Sequence, residues 1–144
     1  DAGFVTDDKD AESNGNVRLA AELLKDYSPA EISKMAKSVS MSGISTSPFN
    51  YLGKLIKMRG KVYNVEQASS TILGGQTYSI LMTVANPNSP LHLTTVDFTC
   101  MTDNLNVKAG NYITVAGYYC GIFAGENVYG GPAHSFVIVG NYAK

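Results

Sequence analysis

Charge is scarce in this chain. Only 16% of its 144 residues are Asp, Glu, Lys or Arg, against about 25% in an average globular protein. Ser, Asn and Thr carry much of the solubility instead. Cysteine is scarcer: Cys100 and Cys120 are the whole supply, which excludes a disulfide-dense miniprotein. Histidine is limited to His92 and His134. No cysteine has a His or Cys partner at metal-ligand spacing, so no metal or cofactor is expected. No apolar run approaches the ~18 residues of a membrane-crossing helix. What is present is a 44% hydrophobic content with a net charge of −1, too apolar for a disordered chain. The length suits one domain with a modest core.

The few charges are unevenly placed. Residues 1–26 carry a net −4, residues 27–61 a net +5 and residues 62–144 a net −2. Between Val62 and Val107 there is no Lys or Arg at all. The start, Asp1-Ala2-Gly3, reads as a processed or trimmed end, and residues 1–15 read as a flexible acidic tether. Asp8, Asp10 and Glu12 alternate as calcium ligands would. The turn Gly and terminal bidentate Glu of such a loop are absent at their offsets, so the reading is a solvated tail.

Residues 16–47 read as a helical hairpin and linker. Val17, Ala20, Ala21, Leu23 and Leu24 form an apolar stripe near a 3.6 period. Ser28-Pro29-Ala30-Glu31 opens a second helix: Ser28 as N-cap, Pro29 at N1 and Glu31 closing a capping box. Ile32, Met35, Ala36 and Val39 continue its stripe. The Ser-rich stretch 38–48 has no clear period and reads as linker.

From residue 48 the character is β. Gly53–Val65 alternates, with Ile56, Met58 and Val62 inward and Lys57, Arg59, Lys61 and Tyr63 outward. Gly60 in its middle predicts a bulge or sharp bend. Further strands are predicted at Thr77–Ala85, His92–Met101, Asn111–Cys120 and His134–Val139, with a glycine-rich loop over 121–133. Cys100 and Cys120 end two of these strands. They could pair as one disulfide or stay as two buried thiols. Five bent strands avoid exposed edges by closing, and the five-stranded Greek-key solution is the OB-fold barrel. The expected fold is therefore α+β, mainly β: an α-hairpin followed by an OB-like barrel over 48–144.

Two segments carry a family resemblance. Tyr51-x-Gly53-Lys54-x-Ile56-x-Met58-x-Gly60-x-Val62 resembles the opening strand of bacterial exported OB-fold domains, often lipoproteins, of the tRNA-anticodon-domain-like group. Leu105-x-Val107-x-x-Gly110-Asn111-Tyr112-Ile113-Thr114-Val115-x-Gly117 resembles their fourth strand. The resemblance implies an exported domain of the cell envelope or exterior, leaves room for a lipid anchor on a removed N-terminus, and implies nucleic-acid binding by analogy. It brings no defined functional residues, so a site must be argued from its own chemistry.

Enzymatic readings find little support. No Ser lies in a G-x-S-x-G elbow. Gly53–Val62 has the wrong glycine spacing for a phosphate loop and Val62 where the Mg²⁺-binding hydroxyl belongs. A Cys120–His134 dyad would need a third group that nothing marks. A small hydrolase therefore ranks last.

For binding, an OB barrel uses strands two and three with the loops between strands one–two and four–five. Single-stranded nucleic acid would require cations and stacking aromatics there. Strands two and three carry no cation and display Asp97, outward among Thr and Ser. The exception is the stripe Lys57, Arg59 and Lys61 followed by Tyr63, the alternative nucleic-acid site. A neutral hydroxyl face suits a protein, peptide or glycan, with Tyr63, Tyr118, Tyr119 and Tyr129 as the candidate ligand-binding residues and Phe123 nearby.

Overall fold

The computed structural model describes residues 3–70, 75–89, 91–102, 104–126 and 132–144. Three helices come first: α1 (Asn16–Leu24), α2 (Pro29–Met35) and α3 (Met41–Thr46). A two-residue strand β1 (Lys37–Ser38) separates α2 from α3. The long strands follow as β2 (Leu55–Ser70), β3 (Gly75–Ala85), β4 (Leu93–Cys100), β5 (Tyr112–Glu126) and β6 (Pro132–Ala143).

The strands pair in the order β1-β2-β3-β4-β6-β5, and β5 returns to β2. Counting β2 to β6 as five barrel strands, the circuit runs first, second, third, fifth, fourth and back to the first. The β4–β6 pairing is parallel and the other barrel pairings are antiparallel. This is the five-stranded Greek-key barrel of the OB-fold.

Closure depends on β2 serving two partners. Residues 55–61 pair with β5 and residues 61–70 with β3, so Lys61 faces Tyr112 on one side and Thr83 on the other. Gly60 sits at the handover. A Cβ there would fall 2.5 Å from the Thr83 carbonyl oxygen and 2.7 Å from Met82 Cε. The sharp bend expected at Gly60 is thus a close backbone approach. The register skips a residue between Val62 and Asn64, leaving Tyr63 at the bulge.

Ile56, Met58 and Val62 point inward as the sequence predicts, and are buried in one cluster with Ile80, Met82, Val96, Phe98 and Ile113. A second apolar layer lies outside the barrel wall. There Ala20 and Leu24 of α1 and Ile32 of α2 cover Ala116, Cys120, Val137 and Val139 of β5 and β6. The capping box of α2 forms: Glu31 N–H donates to Ser28 Oγ at 3.2 Å, and Ser28 N–H donates to Glu31 Oε1 at 2.9 Å.

Three segments differ from expectation. Residues 1–15 are not a free tether from Gly3 onward. Val5 N–H donates to Asn16 Oδ1 and Asn16 Nδ2 donates to the Val5 carbonyl. Ala11 N–H donates to the Ile122 carbonyl at 3.0 Å, and the Ile122 N–H donates to that of Lys9 at 2.6 Å. Gly121 permits this approach, since a Cβ there would lie 2.5 Å from the Lys9 carbonyl oxygen. The stretch 38–48 is not an irregular linker either. It contains the end of β1 and the whole of α3, capped by Ser40 Oγ, which accepts from Gly43 N–H, and α3 buries Met41 and Ile44 in the barrel interior cluster. The glycine-rich loop is shorter than predicted, because β5 runs on to Glu126 and β6 starts at Pro132.

The disulfide alternative is corrected. Cys100 belongs to the interior cluster and Cys120 to the layer under the helices. They lie on opposite sides of the barrel wall, and both are free and buried. Burial pushes each thiol up to about 12, so neither is a reactive thiolate at neutral pH. Ellman titration of unreduced protein should find two thiols after denaturation and no rapid reaction in the native state. A count of zero after denaturation would contradict this packing.

Candidate functional site

The outer wall of the barrel divides into three regions. α1 and α2 cover β5 and β6. The second half of β2 with β3 and β4 is open, and so is the Arg59–Lys61 end of the seam where β2 meets β5; its Lys57–Ala116 end lies against α2.

On the open β3–β4 wall, the outward pairs are Ser79 with Thr99, Leu81 with Asp97, and Thr83 with Thr95. They alternate with the buried Ile80, Met82, Val96 and Phe98. From β2, Glu66 lies beside Ser79 and Asn64 beside Leu81. Asp97 sits at the centre, half-buried. Ser79 Oγ donates to its Oδ1 at 3.4 Å. Burial raises the Asp97 pKa, and the Ser79 hydrogen bond opposes part of that rise. The one ion pair among the described residues is the exposed Lys25–Glu22 contact on α1, so no cation compensates Asp97.

The β2–β5 seam has the opposite character. Lys57, Arg59 and Lys61 face outward from β2, opposite Ala116, Thr114 and Tyr112 of β5. Lys57 is half-buried, with Nζ 3.5 Å from Ser33 Oγ on α2. Arg59 and Lys61 are exposed. The Lys61 ammonium stands 5.9 Å from the Tyr112 ring centroid, a cation–π contact. Tyr63 is 67% exposed at the bulge beyond. The alternative set Lys57, Arg59, Lys61 and Tyr63 therefore lies along one stretch of β2.

The tyrosine set does not assemble. Tyr118 lies opposite Leu55, at the start of β2. Tyr63 is eight residues further along that strand, about 26 Å at standard strand rise. Tyr118 stacks on Phe4 at 5.3 Å and lines a cleft of about 660 Å³ with Thr6, Leu23, Tyr27 and Lys54. Burial, with a smaller effect from Tyr27, raises the pKa of its hydroxyl. Tyr119 is fully buried against Phe136, and its hydroxyl has no hydrogen-bond partner. It is a core residue and leaves the ligand set. Consecutive strand residues point to opposite faces, so Tyr118 and Tyr119 could not both line one exterior site. Tyr129 lies outside the described residues. Phe123 is exposed on the extended β5.

No Cys–His dyad forms. His134 pairs with Ala124, four residues from Cys120 and so about 13 Å along the strand. The Cys120 thiol is buried beneath the helices. His92 is exposed in the β3–β4 turn. Among the described residues no cluster of His, Cys, Asp or Glu could hold a metal ion. Sequence reasoning missed Tyr112, whose alternation with inward Ile113 placed it outside beside Lys61.

No family model matches the chain, and no curated protein matches it. Among solved structures it is similar to a lipoprotein of Klebsiella pneumoniae, named as a candidate nucleic acid-binding protein. That similarity has 16% identity and a TM-score of 0.46, covering 73% of this chain and 90% of the other. It is also similar to the second OB-fold domain of replication protein A from Methanococcus maripaludis. There the identity is 15% and the TM-score 0.32, covering 65% of this chain and 83% of the other. Superpositions this loose carry no site across. The OB-fold assignment rests on the strand circuit itself, and the narrower tRNA-anticodon-like grouping gains no support.

The placement of Tyr119 is directly testable. Tyr119→Phe removes a buried hydroxyl that has no partner, so it should leave stability unchanged or raise it by about 1 kcal/mol. Tyr119→Ala should cost about 3–5 kcal/mol through the cavity it opens. Urea unfolding measures both. A clear loss of stability in the Phe variant would show that the hydroxyl is used.

Proposed function

We propose that this protein is a non-catalytic OB-fold binding module of the cell envelope or exterior. Its ligand is a protein or peptide segment that lays a basic side chain across the outer face of β3 and β4. The observation that carries this is Asp97: a half-buried carboxylate at the centre of an open face, bonded to the Ser79 hydroxyl and paired with no cation among the described residues. Partial burial without a counter-charge disfavours an ionised carboxylate, and an incoming ammonium or guanidinium supplies that partner through a charge-assisted hydrogen bond. Thr83, Thr95 and Thr99 offer flanking hydroxyls, and Leu81 offers an apolar contact.

The same face disfavours the other partners. Phosphates would meet Glu66 and Asp97 with no Lys or Arg from residue 62 to 107, and phosphate contacts dominate nucleic-acid affinity. A glycan would look for a ring to stack on, and the outward residues of β3 and β4 named here include none. The extracytoplasmic placement rests on the motif resemblance of residues 51–62 and 105–117. Among the described residues no helix is long and apolar enough to cross a membrane.

The test is amide chemical-shift mapping with short extended peptides centred on Arg, Glu or a neutral residue. The Arg peptide should shift Ser79, Leu81, Thr95, Asp97 and Thr99, and Asp97→Asn should weaken it by about tenfold or more. The variant should fold at least as stably. Because the Asp97 pKa is raised in the fold, the native state holds its proton to higher pH than the unfolded chain does. Its contribution to stability therefore falls as pH rises from the ordinary carboxylate range through that raised value. The Asn variant should lose this slope. Oligonucleotides or glycans shifting this face in place of the Arg peptide, or unchanged peptide binding in Asp97→Asn, would contradict the proposal.

A further inference from the structure

Independently of the β3–β4 face, we propose that the β2–β5 seam is a docking surface for an anionic lipid bilayer. The argument begins with charge segregation. Residues 32–65, 104–125 and 127–144 contain no Asp or Glu. These stretches supply β1, the first half of β2, nearly all of β5, and β6. Cations gathered there meet no carboxylate from the strands around them, and none of them forms an ion pair among the described residues.

The cations spread in two dimensions. Lys57, Arg59 and Lys61 follow one another on the outer face of β2, about 7 Å apart at standard rise. Lys144 N–H donates to the Thr114 carbonyl, and Thr114 faces Arg59. Lys144 is thus two strand spacings from Arg59, about 10 Å. Lys108 belongs to the turn tied to the far end of the seam, where Gly110 N–H donates to the Val62 carbonyl and Val62 N–H to that of Asn111.

A single-stranded nucleic acid is best served by a groove that tracks its backbone, with free aromatic faces for its bases. Here the charges lie on the convex outer wall of a closed barrel, and the Tyr112 ring already holds the Lys61 ammonium. A sheet of headgroups fits such an array better. Tyr112 and Tyr63, 62% and 67% exposed, add the amphipathic rings that settle at the headgroup level. Each Lys or Arg brought to an anionic membrane surface strengthens binding by about fivefold.

The test is flotation of the full chain with vesicles of phosphatidylcholine alone or mixed with phosphatidylglycerol. Binding should require phosphatidylglycerol and weaken as salt rises. Arg59→Gln/Lys61→Gln should reduce the partition coefficient about 25-fold, and Arg18→Gln/Lys25→Gln, on α1, should change it less than about twofold. Thermal unfolding of each variant confirms that the fold is kept. Equal binding to both vesicle types, or equal losses in both double variants, would overturn the proposal. So would displacement of the protein from vesicles by oligo-dT bound tightly through Arg59 and Lys61, which would make the seam a nucleic-acid site.

Discussion

The closure of the barrel at Gly60 is the constraint on which everything else depends. β2 is long enough to serve two partners, but it can pass from β5 to β3 only if its backbone approaches the Thr83 carbonyl more closely than any Cβ allows. That bend brings β5 round to β2 and removes the open edges a five-stranded sheet would expose. It also sets which residues face inward, since Ile56, Met58 and Val62 flank the glycine on one parity and Lys57, Arg59 and Lys61 on the other.

Closure then distributes the outer wall. Helices α1 and α2 take the part over β5 and β6, where Ala116, Cys120, Val137 and Val139 would otherwise be apolar patches. The remaining wall falls into an acid-bearing hydroxyl face on β3–β4 and a cation-bearing face on β2–β5. The partition follows from the sequence: residues 62–107 lack Lys and Arg, while residues 32–65 and 104–125 lack Asp and Glu. This separation supports reading the two faces as serving different partners.

Much of the fold was legible because it follows local rules. A period of two placed the interior of β2, the capping box placed α2, and the mid-strand glycine marked the bend. What was not legible depended on long-range contacts. α3 has six residues, too few for a periodic stripe, yet Met41 and Ile44 fill the barrel interior. Phe4, Val5 and Ala11 are isolated among acidic neighbours, so composition spoke for a tether, and it is contact with Tyr118, Asn16 and Ile122 that orders them. Gly121 and Gly125 suggested a loop, but β5 runs on through them to Glu126, and Gly121 marks the close approach of the Lys9 carbonyl. The site was the weakest part because tyrosines were grouped by chemistry. Parity from Ile113 and Val115 already pointed Tyr119 inward.

The most direct test is a cross-strand NOE experiment on one uniformly labelled sample. Closure predicts backbone NOEs between Met58 and Val115, across the β2–β5 seam, together with those between Val65 and Ile80 on β2–β3 and between Phe98 and Ile138 on β4–β6. If the β2–β3 and β4–β6 contacts appear while the Met58–Val115 contact is absent, the sheet is open. The separation into two outer faces would then have no structural basis.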